Sequence, residues 1–343
     1  MKNMSIEEKI ELARNPNTPP EVLEKLAEDE DLDVRGAVAR NPNAPPEALR
    51  KLAEDKDLFI RIAVAWNERA PPEVLVRLAK DKDWFVRKTV AENERVPEDL
   101  LRELACDKEP SVRRAVAKNP NTPPDVLKKL AEDKEFHIRL EVARNEKTPP
   151  DVLNKLVDDE DWEVRYALAE REDAPPEALR RLAYDENWKI RLAVAENLNT
   201  PPDVLVKLAS DKEWSVRHAI TRNTNAPPEA LVRLAEDEDS HIKVRVAEHE
   251  NTPPEVLRKL IENKDWKIKL AIAENPNAPP DVLKKLAYDE YWDVRRAIAR
   301  NPNTPPDVLR ELASNESLLV REEAAANPNV PPDVLVKLAY DEY

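Results

Sequence analysis

Apolar and polar residues follow one 26-residue pattern along almost the whole chain. With Asn15 as position 1, the first copy ends at Arg40, and twelve more follow without insertion or deletion, the last truncated at Tyr343. These copies begin at residues 41, 67, 93, 119, 145, 171, 197, 223, 249, 275, 301 and 327. Positions 9 and 12 are leucine in all thirteen copies. A fixed period of this length indicates a repeat protein, in which each unit buries its apolar face against the next.

Each copy predicts two helices, A and B. Apolar residues at positions 8, 9, 12 and 13 form a helical stripe after a Pro-Pro pair that suits a first helical turn. Thr18 and Glu21 fit a capping box, so helix A is predicted over positions 5 to 14. Helix B is predicted over positions 17 to 26, where Asn-Pro-Asn of the next copy ends it. The predicted fold is an all-α solenoid over residues 15–343. A short capping helix precedes it within residues 1–14, with Ser5 and Glu8 as its capping box.

Helix B carries a constant face and a variable face. Position 20 is always Val or Ile, position 25 is Ala except at Thr221, and position 18 is Trp in six copies. Positions 19, 22, 23 and 26 vary widely and share the opposite face, because an α-helix advances about 100° per residue. The constant face is therefore predicted to hold the stack together, and the variable face to be available for binding.

Position 21 lies on the constant face and is Arg in ten copies and Lys in two. A basic column of this kind could bind phosphates or acidic peptides. It could equally form an internal ladder with the acidic residue that recurs at position 15, beginning at Asp29. The internal ladder is favoured, because a charge on a packed face needs a partner and an equally recurrent acid supplies one.

The candidate binding residues lie on the variable face. In copy two that face is apolar throughout, with Phe59, Ile62 and Trp66, and Phe85 of copy three extends the patch. Exposed apolar patches rimmed by charge indicate a protein or peptide surface. Position 22 adds a nearly apolar stripe in copies five to ten, formed by Leu140, Tyr166, Leu192, His218, Val244 and Leu270. For this stripe two interpretations remain open: a binding surface, or a seal between adjacent repeats.

Composition excludes several classes of function. The net charge of −15 argues against nonspecific attraction to nucleic acid or anionic membranes. The chain has a single glycine, so glycine-rich phosphate loops are absent, and Cys106 is the single cysteine. The four histidines fall in separate copies without zinc spacing. We therefore expect no enzyme activity, no cofactor and no metal. The apolar runs are too short to span a membrane or to form a secretion signal, so we expect a soluble, cytoplasmic protein.

The recurring motif NPNTPPEVLxKLAxDxxWxVRxAVA resembles that of the leucine-rich repeat variant family, from Asn15 to Tyr343. The resemblance implies a right-handed solenoid of two helical segments per unit, one of them 3₁₀-like in the family's fold. Some members of that family carry a cysteine-ligated iron–sulfur module before the repeats. The cysteines of that module are absent here, so the resemblance implies no cofactor for this chain.

Three functional hypotheses follow. The leading one is a non-enzymatic scaffold that binds a peptide or protein along the variable face of helix B. The alternative is an engineered or consensus-like repeat scaffold with no evolved ligand, favoured by the uniform copy length. Modular nucleic-acid binding through the arginine column is disfavoured by the net charge. Self-association through the C-terminal end is also a hypothesis, because helix A of copy thirteen has no following repeat.

Overall fold

The computed structural model describes residues 4–339, and within them the chain forms 26 α-helices and no β-strand. Its contacts divide it into two compact units, Met1–Leu168 and Ala169–Tyr343. In each unit A and B helices alternate along the chain in the predicted register, which confirms the all-α repeat solenoid. Both segments of each copy are α-helical, so the 3₁₀ segment implied by the resemblance is not present in the described copies.

The helices of the first unit comprise seven of type B and six of type A. The B helices are α1 (Ile6–Arg14), α3 (Leu32–Arg40), α5 (Leu58–Trp66), α7 (Trp84–Glu92), α9 (Pro110–Lys118), α11 (Phe136–Arg144) and α13 (Trp162–Ala169). The A helices are α2 (Pro20–Leu26), α4 (Pro46–Leu52), α6 (Pro72–Leu78), α8 (Glu98–Leu104), α10 (Pro124–Leu130) and α12 (Pro150–Leu156).

The second unit continues the same alternation. Its A helices are α14 (Pro176–Leu182), α16 (Pro202–Leu208), α18 (Pro228–Leu234), α20 (Pro254–Leu260), α22 (Pro280–Leu286), α24 (Pro306–Leu312) and α26 (Pro332–Ala339). Its B helices are α15 (Trp188–Glu196), α17 (Trp214–Ile220), α19 (Ser240–Glu248), α21 (Trp266–Glu274), α23 (Trp292–Arg300) and α25 (Leu318–Ala326).

Helix A is shorter than predicted, and the capping box at Thr18 and Glu21 is wrong. The N-cap of α2 is Pro19, which has no side chain able to cap the helix. The hydroxyl of Thr18 instead donates to the carbonyl of Leu12, 2.5 Å away, at the end of the preceding B helix. Thr122 makes the same bond to Val116. Where position 4 is threonine, as at Thr18 and Thr122, it thus ties the A helix to the B helix before it.

Successive B helices from α1 to α11 in the first unit and from α15 to α25 in the second pack directly on one another. Alanine at position 25 makes this close approach possible, and Ala39, Ala65 and Ala91 are completely buried. The leucines of helix A fill the space beside them, with Leu23 and Leu49 fully buried. Helices of seven to nine residues are unstable alone in water, so this packing supplies most of their stability.

The arginine column is an internal ladder, as favoured from the sequence. Arg87 Nε donates to Asp107 Oδ2 at 2.6 Å and Nη2 to Oδ1 at 2.9 Å, while Nη1 reaches the carbonyl of Asp81 at 2.8 Å. Both side chains of the Arg87–Asp107 pair are only 9% exposed. Burial raises the pKa of Asp107. The hydrogen bond from Arg87, the N–H of Glu109 and the guanidinium charge together outweigh burial and hold that pKa below its usual value.

The same pairing recurs between the position-21 base of one copy and the position-15 acid of the next. Further pairs of this ladder are Arg35–Asp55, Arg61–Asp81, Arg113–Asp133, Arg139–Asp159, Arg191–Asp211, Arg217–Asp237 and Lys269–Asp289. These bases are committed to neighbouring carboxylates inside the stack. The nucleic-acid hypothesis, which needed an accessible column, is therefore not supported.

A second ladder, of asparagines at position 1, was not foreseen. Asn119 donates through Nδ2 to the carbonyls of Ala91 at 2.7 Å and Asn93 at 3.1 Å, and its Oδ1 accepts from the N–H of Asn121 at 2.8 Å. The side chain thereby satisfies two carbonyls at the junction of copies three and four and one amide of its own turn. The sequence signal is visible, since eleven of thirteen copies have Asn there. Taken by itself, the Asn-Pro-Asn segment predicts only the end of helix B.

His249 replaces asparagine in this ladder and reproduces its bonds. Its Nδ1 accepts from the N–H of Asn251 at 3.0 Å, and its Nε2 lies 3.1 Å from the carbonyl of Asn223. Because a carbonyl only accepts, Nε2 carries the proton and the ring is in its Nε2–H tautomer.

The first helix behaves as a B helix of the same series. Ser5 and Glu8 form the predicted capping box on α1, with Glu8 N–H donating to Ser5 Oγ and Ser5 N–H to Glu8 Oε2. Lys9 takes the position-21 place and pairs with Asp29 at 2.7 Å. Lys9 therefore extends the ladder into α1, in the place that arginine occupies in most copies. The predicted division into residues 1–14 and 15–343 remains a prediction.

Candidate functional site

A groove of about 790 Å³ lies where the apolar patch of copy two was predicted. Phe59, Ile62 and Trp66 on α5 line it together with Ala63. The Phe59 side chain is 71% exposed and that of Trp66 64% exposed, whereas Ile62 is half-buried. The first and last of these residues stand one turn from Ile62 on the same helix face, so the periodicity alone brings them together. The volume is in the range of ligand sites in proteins.

Three arginines line the same groove: Arg40, Arg69 and Arg95. Arg40 ends helix α3, and the other two occupy position 3 of copies three and four. Nine of the thirteen copies have asparagine at position 3. In copy two, Asn43 Nδ2 donates to the carbonyl of Pro16 at 2.9 Å. Arg69 and Arg95 therefore replace the asparagine that bonds to the preceding copy. They do so beside the apolar patch formed by Phe59, Ile62 and Trp66.

Arg95 retains the structural bond of the asparagine that it replaces. Its Nη1 donates to the carbonyl of Glu68 at 3.1 Å. Within the described residues, the guanidinium groups of Arg40 and Arg69 make no hydrogen bond or ion pair. Sequence reasoning missed all three arginines, because they lie on three different copies and only the stack brings them together.

The chain's single glycine, Gly36, lies beside this groove. It is helical, and a Cβ built on it would come 3.1 Å from Arg40 Nη2 and 3.6 Å from Arg40 Cζ and Nη1. No described residue, glycine included, has a positive φ. Gly36 is therefore not required by a left-handed turn. Its effect is to let the Arg40 guanidinium lie against the helix.

Replacing Gly36 by alanine is expected to stabilise the protein by about 0.5–1 kcal/mol, because glycine in a helix interior is unfavourable by that amount. The neighbour that must move is the flexible end of Arg40, which yields by a few tenths of an ångström. Urea unfolding followed by circular dichroism measures the change, with Ala37→Gly as the control of opposite sign. A lower free energy of unfolding in Gly36→Ala would contradict this expectation and show that the packing around residue 36 requires glycine.

Phe85 does not extend the groove. It lies outside the lining, packs edge-on against Trp84 with ring centroids 5.4 Å apart, and is 40% exposed.

The tryptophans of position 18 are predicted on the constant packed face, but the structure leaves Trp84, Trp188 and Trp292 between 38% and 42% exposed. Position 18 is the first residue of helix B, so its ring lies at the rim of the stack and not within it.

The seam between adjacent B helices explains the stripe at position 22. Arg114 at position 22 donates to Glu141 at position 23 of the next copy, with Nε–Oε1 2.9 Å and Nη2–Oε1 2.5 Å. Arg296 and Glu323 repeat this contact in the second unit. Position 22 therefore faces position 23 of the following copy, which favours its role as a seal.

Within this stripe, Leu140 is wrong as a binding residue, because it is only 5% exposed. Tyr166 in the first unit and Leu192, Val244 and Leu270 in the second are half-buried. Each of these residues lies on a different B helix, at the position that faces the following copy. Apolar side chains there exclude water from the neighbouring helix, as Leu140 does most completely.

His218 is held in an aromatic stack within the second unit. Its ring lies 4.7 Å from that of Trp214 and 5.4 Å from that of His241, nearly parallel to both. Burial, and then the charges of His241 and two nearby arginines, hold its pKa below its usual value, so the ring is neutral at pH 7. The sequence had separated these histidines, yet position 22 of one copy meets position 19 of the next.

Among residues 4–339 no group of three or more His, Cys, Asp or Glu side chains is placed to hold a metal ion. None of the helices in this same part of the chain is both long and apolar enough to cross a membrane.

Family models and a solved structure match this chain. The model described as leucine rich repeat variant matches residues 7–31, 32–57, 110–135, 162–187 and 188–213, and the leucine rich repeat variant domain matches 267–325. A solved structure described as "a leucine-rich repeat variant with a novel repetitive protein structural motif" is 30% identical. That similarity covers 63% of this chain and 86% of the other, with a TM-score of 0.51. The chain belongs to the leucine-rich repeat variant family.

Other solved structures are more distant from this leucine-rich repeat variant protein. An engineered protein is 20% identical over 93% of this chain and 92% of its own, with a TM-score of 0.22. The karyopherin Kap121p, bound to the extreme C-terminus of the protein phosphatase Cdc14p, is 11% identical over 93% of this chain and 46% of its own, with a TM-score of 0.43. At these values neither similarity supports an inference about function. None of the curated proteins matches the chain.

Proposed function

We propose that this leucine-rich repeat variant protein is a non-enzymatic interaction scaffold that binds a segment of another protein in the groove around Trp66. The observation that carries the proposal is the joint exposure of Phe59 and Trp66 over one groove. Position 19 is Phe in copies two and three and polar in nine of the other ten, and position 26 is charged in ten of its twelve occurrences. A large aromatic side chain at both places in one copy is therefore peculiar to copy two.

Binding would remove this apolar surface from water. Burying a large apolar side chain contributes about 1.5–3 kcal/mol, and interface energy is commonly concentrated in a few aromatic residues and arginines. Phe59, Ile62 and Trp66 form such a cluster, and the stack of B helices holds their backbone in place before any partner arrives. A rigid, preformed site loses little conformational entropy on binding.

The test is a selection of phage-displayed random 12-residue peptides on the full chain. Recovered peptides are synthesised and titrated by fluorescence anisotropy. The groove variant Phe59→Ser, Ile62→Ser, Trp66→Ser is expected to bind them at least about a hundredfold more weakly, since each side chain contributes on the order of 1 kcal/mol or more. Circular dichroism should remain that of the wild type, because two of the three side chains are exposed.

The matched control replaces exposed apolar residues elsewhere: Val76→Ser, Leu198→Ser and Val232→Ser. It should bind the selected peptides as the wild type does. Equal weakening in both variants, or peptides that bind the groove variant unchanged, would contradict the proposal. Such a result would favour the alternative of a repeat scaffold with no ligand.

A further inference from the structure

The charge around the groove is opposite in sign to that of the whole chain. Three arginines and one acid, Glu68, are among the residues that line it, whereas the chain has a net charge of −15. At physiological ionic strength the Debye length is about 8 Å, so charges bordering the groove dominate over the distant ones. A ligand in the groove therefore meets a local positive field.

The arginines of the groove also differ from those that stabilise the stack. Arg87 and its equivalents are each bound to a carboxylate and to backbone carbonyls, but Arg40 and Arg69 have no partner among the described residues. A guanidinium group presents a planar set of donors that matches a carboxylate with two parallel bonds. Beside an aromatic surface such bonds are partly shielded from water and gain strength.

A neighbouring depression limits where an acidic ligand can lie. It measures about 370 Å³, shares Trp66, Glu68 and Arg95 with the groove, and adds Glu92 and Glu94. Carboxylates of a ligand are repelled on that side of Trp66. They are attracted on the other side, where Arg40 and Arg69 lie, so charge orients the ligand across the indole ring.

From these observations we infer that the ligand of the groove is an acidic peptide segment whose apolar side chain packs on Phe59 and Trp66 while its carboxylates pair with Arg40 and Arg69. This inference rests on the proposed function and specifies its partner. Each aromatic contact sets affinity, and the arginines select acidic sequences over neutral ones of the same shape.

Two rhodamine-labelled peptides test the inference by anisotropy in 0.15 M NaCl: Glu-Asp-Phe-Leu-Glu-Asp and its neutral counterpart Gln-Asn-Phe-Leu-Gln-Asn. The wild type should bind the acidic peptide about tenfold more tightly, since each exposed charge pair contributes only a small part of the affinity. The variant Arg40→Gln, Arg69→Asn, Arg95→Asn should lose this preference. Asparagine is the usual residue at position 3, so the variant retains the bond that Arg95 makes to Glu68.

The control variant is Arg144→Gln, Arg222→Gln, Arg300→Gln. These arginines occupy position 26 in other copies, as Arg40 does in copy one, and either triple variant changes the net charge from −15 to −18. The control should keep the preference for the acidic peptide. Loss of preference in both variants would assign the effect to net charge and overturn the inference.

The two proposals fail differently. If both peptides bind equally well and the Phe59, Ile62 and Trp66 variant abolishes binding, the groove is a binding site but its ligand is not acidic. If neither peptide binds and the random library yields no groove-dependent sequence, the proposed function itself is wrong and the inference falls with it.

Discussion

Replacing Asp107 by leucine is expected to destabilise the stack around it by about 3–5 kcal/mol, because Arg87 would be left buried without its carboxylate. Both side chains are 9% exposed, and Arg87 reaches Asp107 through two hydrogen bonds of 2.6 and 2.9 Å. Replacing both partners, as Arg87→Met with Asp107→Leu, should recover most of the loss, since an apolar pair of similar volume needs no compensating charge.

The measurement is a double-mutant cycle at pH 7, read by native-state hydrogen exchange of the amides in α7 and α9. Exchange reports local opening, which is appropriate where each repeat contacts only its neighbours. The matched cycle uses Arg102 and Asp125, which pair at 3.1 Å with 41% and 63% exposure. We expect a coupling of about 2–3 kcal/mol for the buried pair and below about 1 kcal/mol for the exposed pair. Equal couplings would contradict the structural role given to the ladder.

Asn119→Asp is expected to destabilise the same region by about 2–4 kcal/mol, although it changes one atom of the side chain. A carboxylate cannot donate, so the carbonyls of Ala91 and Asn93 would lose the donor that the Asn119 amide supplies and face a negative oxygen. Amides of α7 and α9 should then exchange roughly 30- to 1000-fold faster. Asn17→Asp makes the same change at an exposed position and should alter stability by less than about 0.5 kcal/mol. An unchanged exchange rate in Asn119→Asp would show that the asparagine ladder is not required.

The features read correctly from the sequence are those that repeat. Helix A of each copy follows from the apolar residues at positions 8, 9, 12 and 13, and helix B from the constant residues at positions 20 and 25. The arginine ladder follows from two columns of opposite charge with the same period. Ser5 and Glu8 were found because a capping box is local in sequence. Periodicity and local chemistry are sufficient where every copy makes the same contacts.

Other features that depend on the contact between copies were not predicted. Thr18 resembles a helix cap locally, but the stack offers its hydroxyl the carbonyl of Leu12 instead. Asn119 reaches residues 28 and 26 positions earlier, a relation that appears only when one copy lies on another. The burial of Leu140 has the same origin, because position 22 faces the next helix.

The groove was predicted in part. Phe59, Ile62 and Trp66 share a helix face, so the period of 3.6 residues placed them together. Arg40, Arg69 and Arg95 come from copies one, three and four and meet only in the stack. What makes the site chemically specific, the combination of arginine with aromatic surface, is therefore the part that the sequence pattern did not show.

The central claim is that the copies are alike where they stack, and that the departures around Trp66 form the binding site. Seven tryptophans make this directly testable by ¹⁹F NMR of the chain labelled with 5-fluorotryptophan and titrated with Glu-Asp-Phe-Leu-Glu-Asp. The Trp66 resonance, assigned through Trp66→Phe, should shift with the peptide. Those of Trp188, Trp214, Trp266 and Trp292 should stay unchanged. Shifts in these four resonances with Trp66 unmoved would contradict the account.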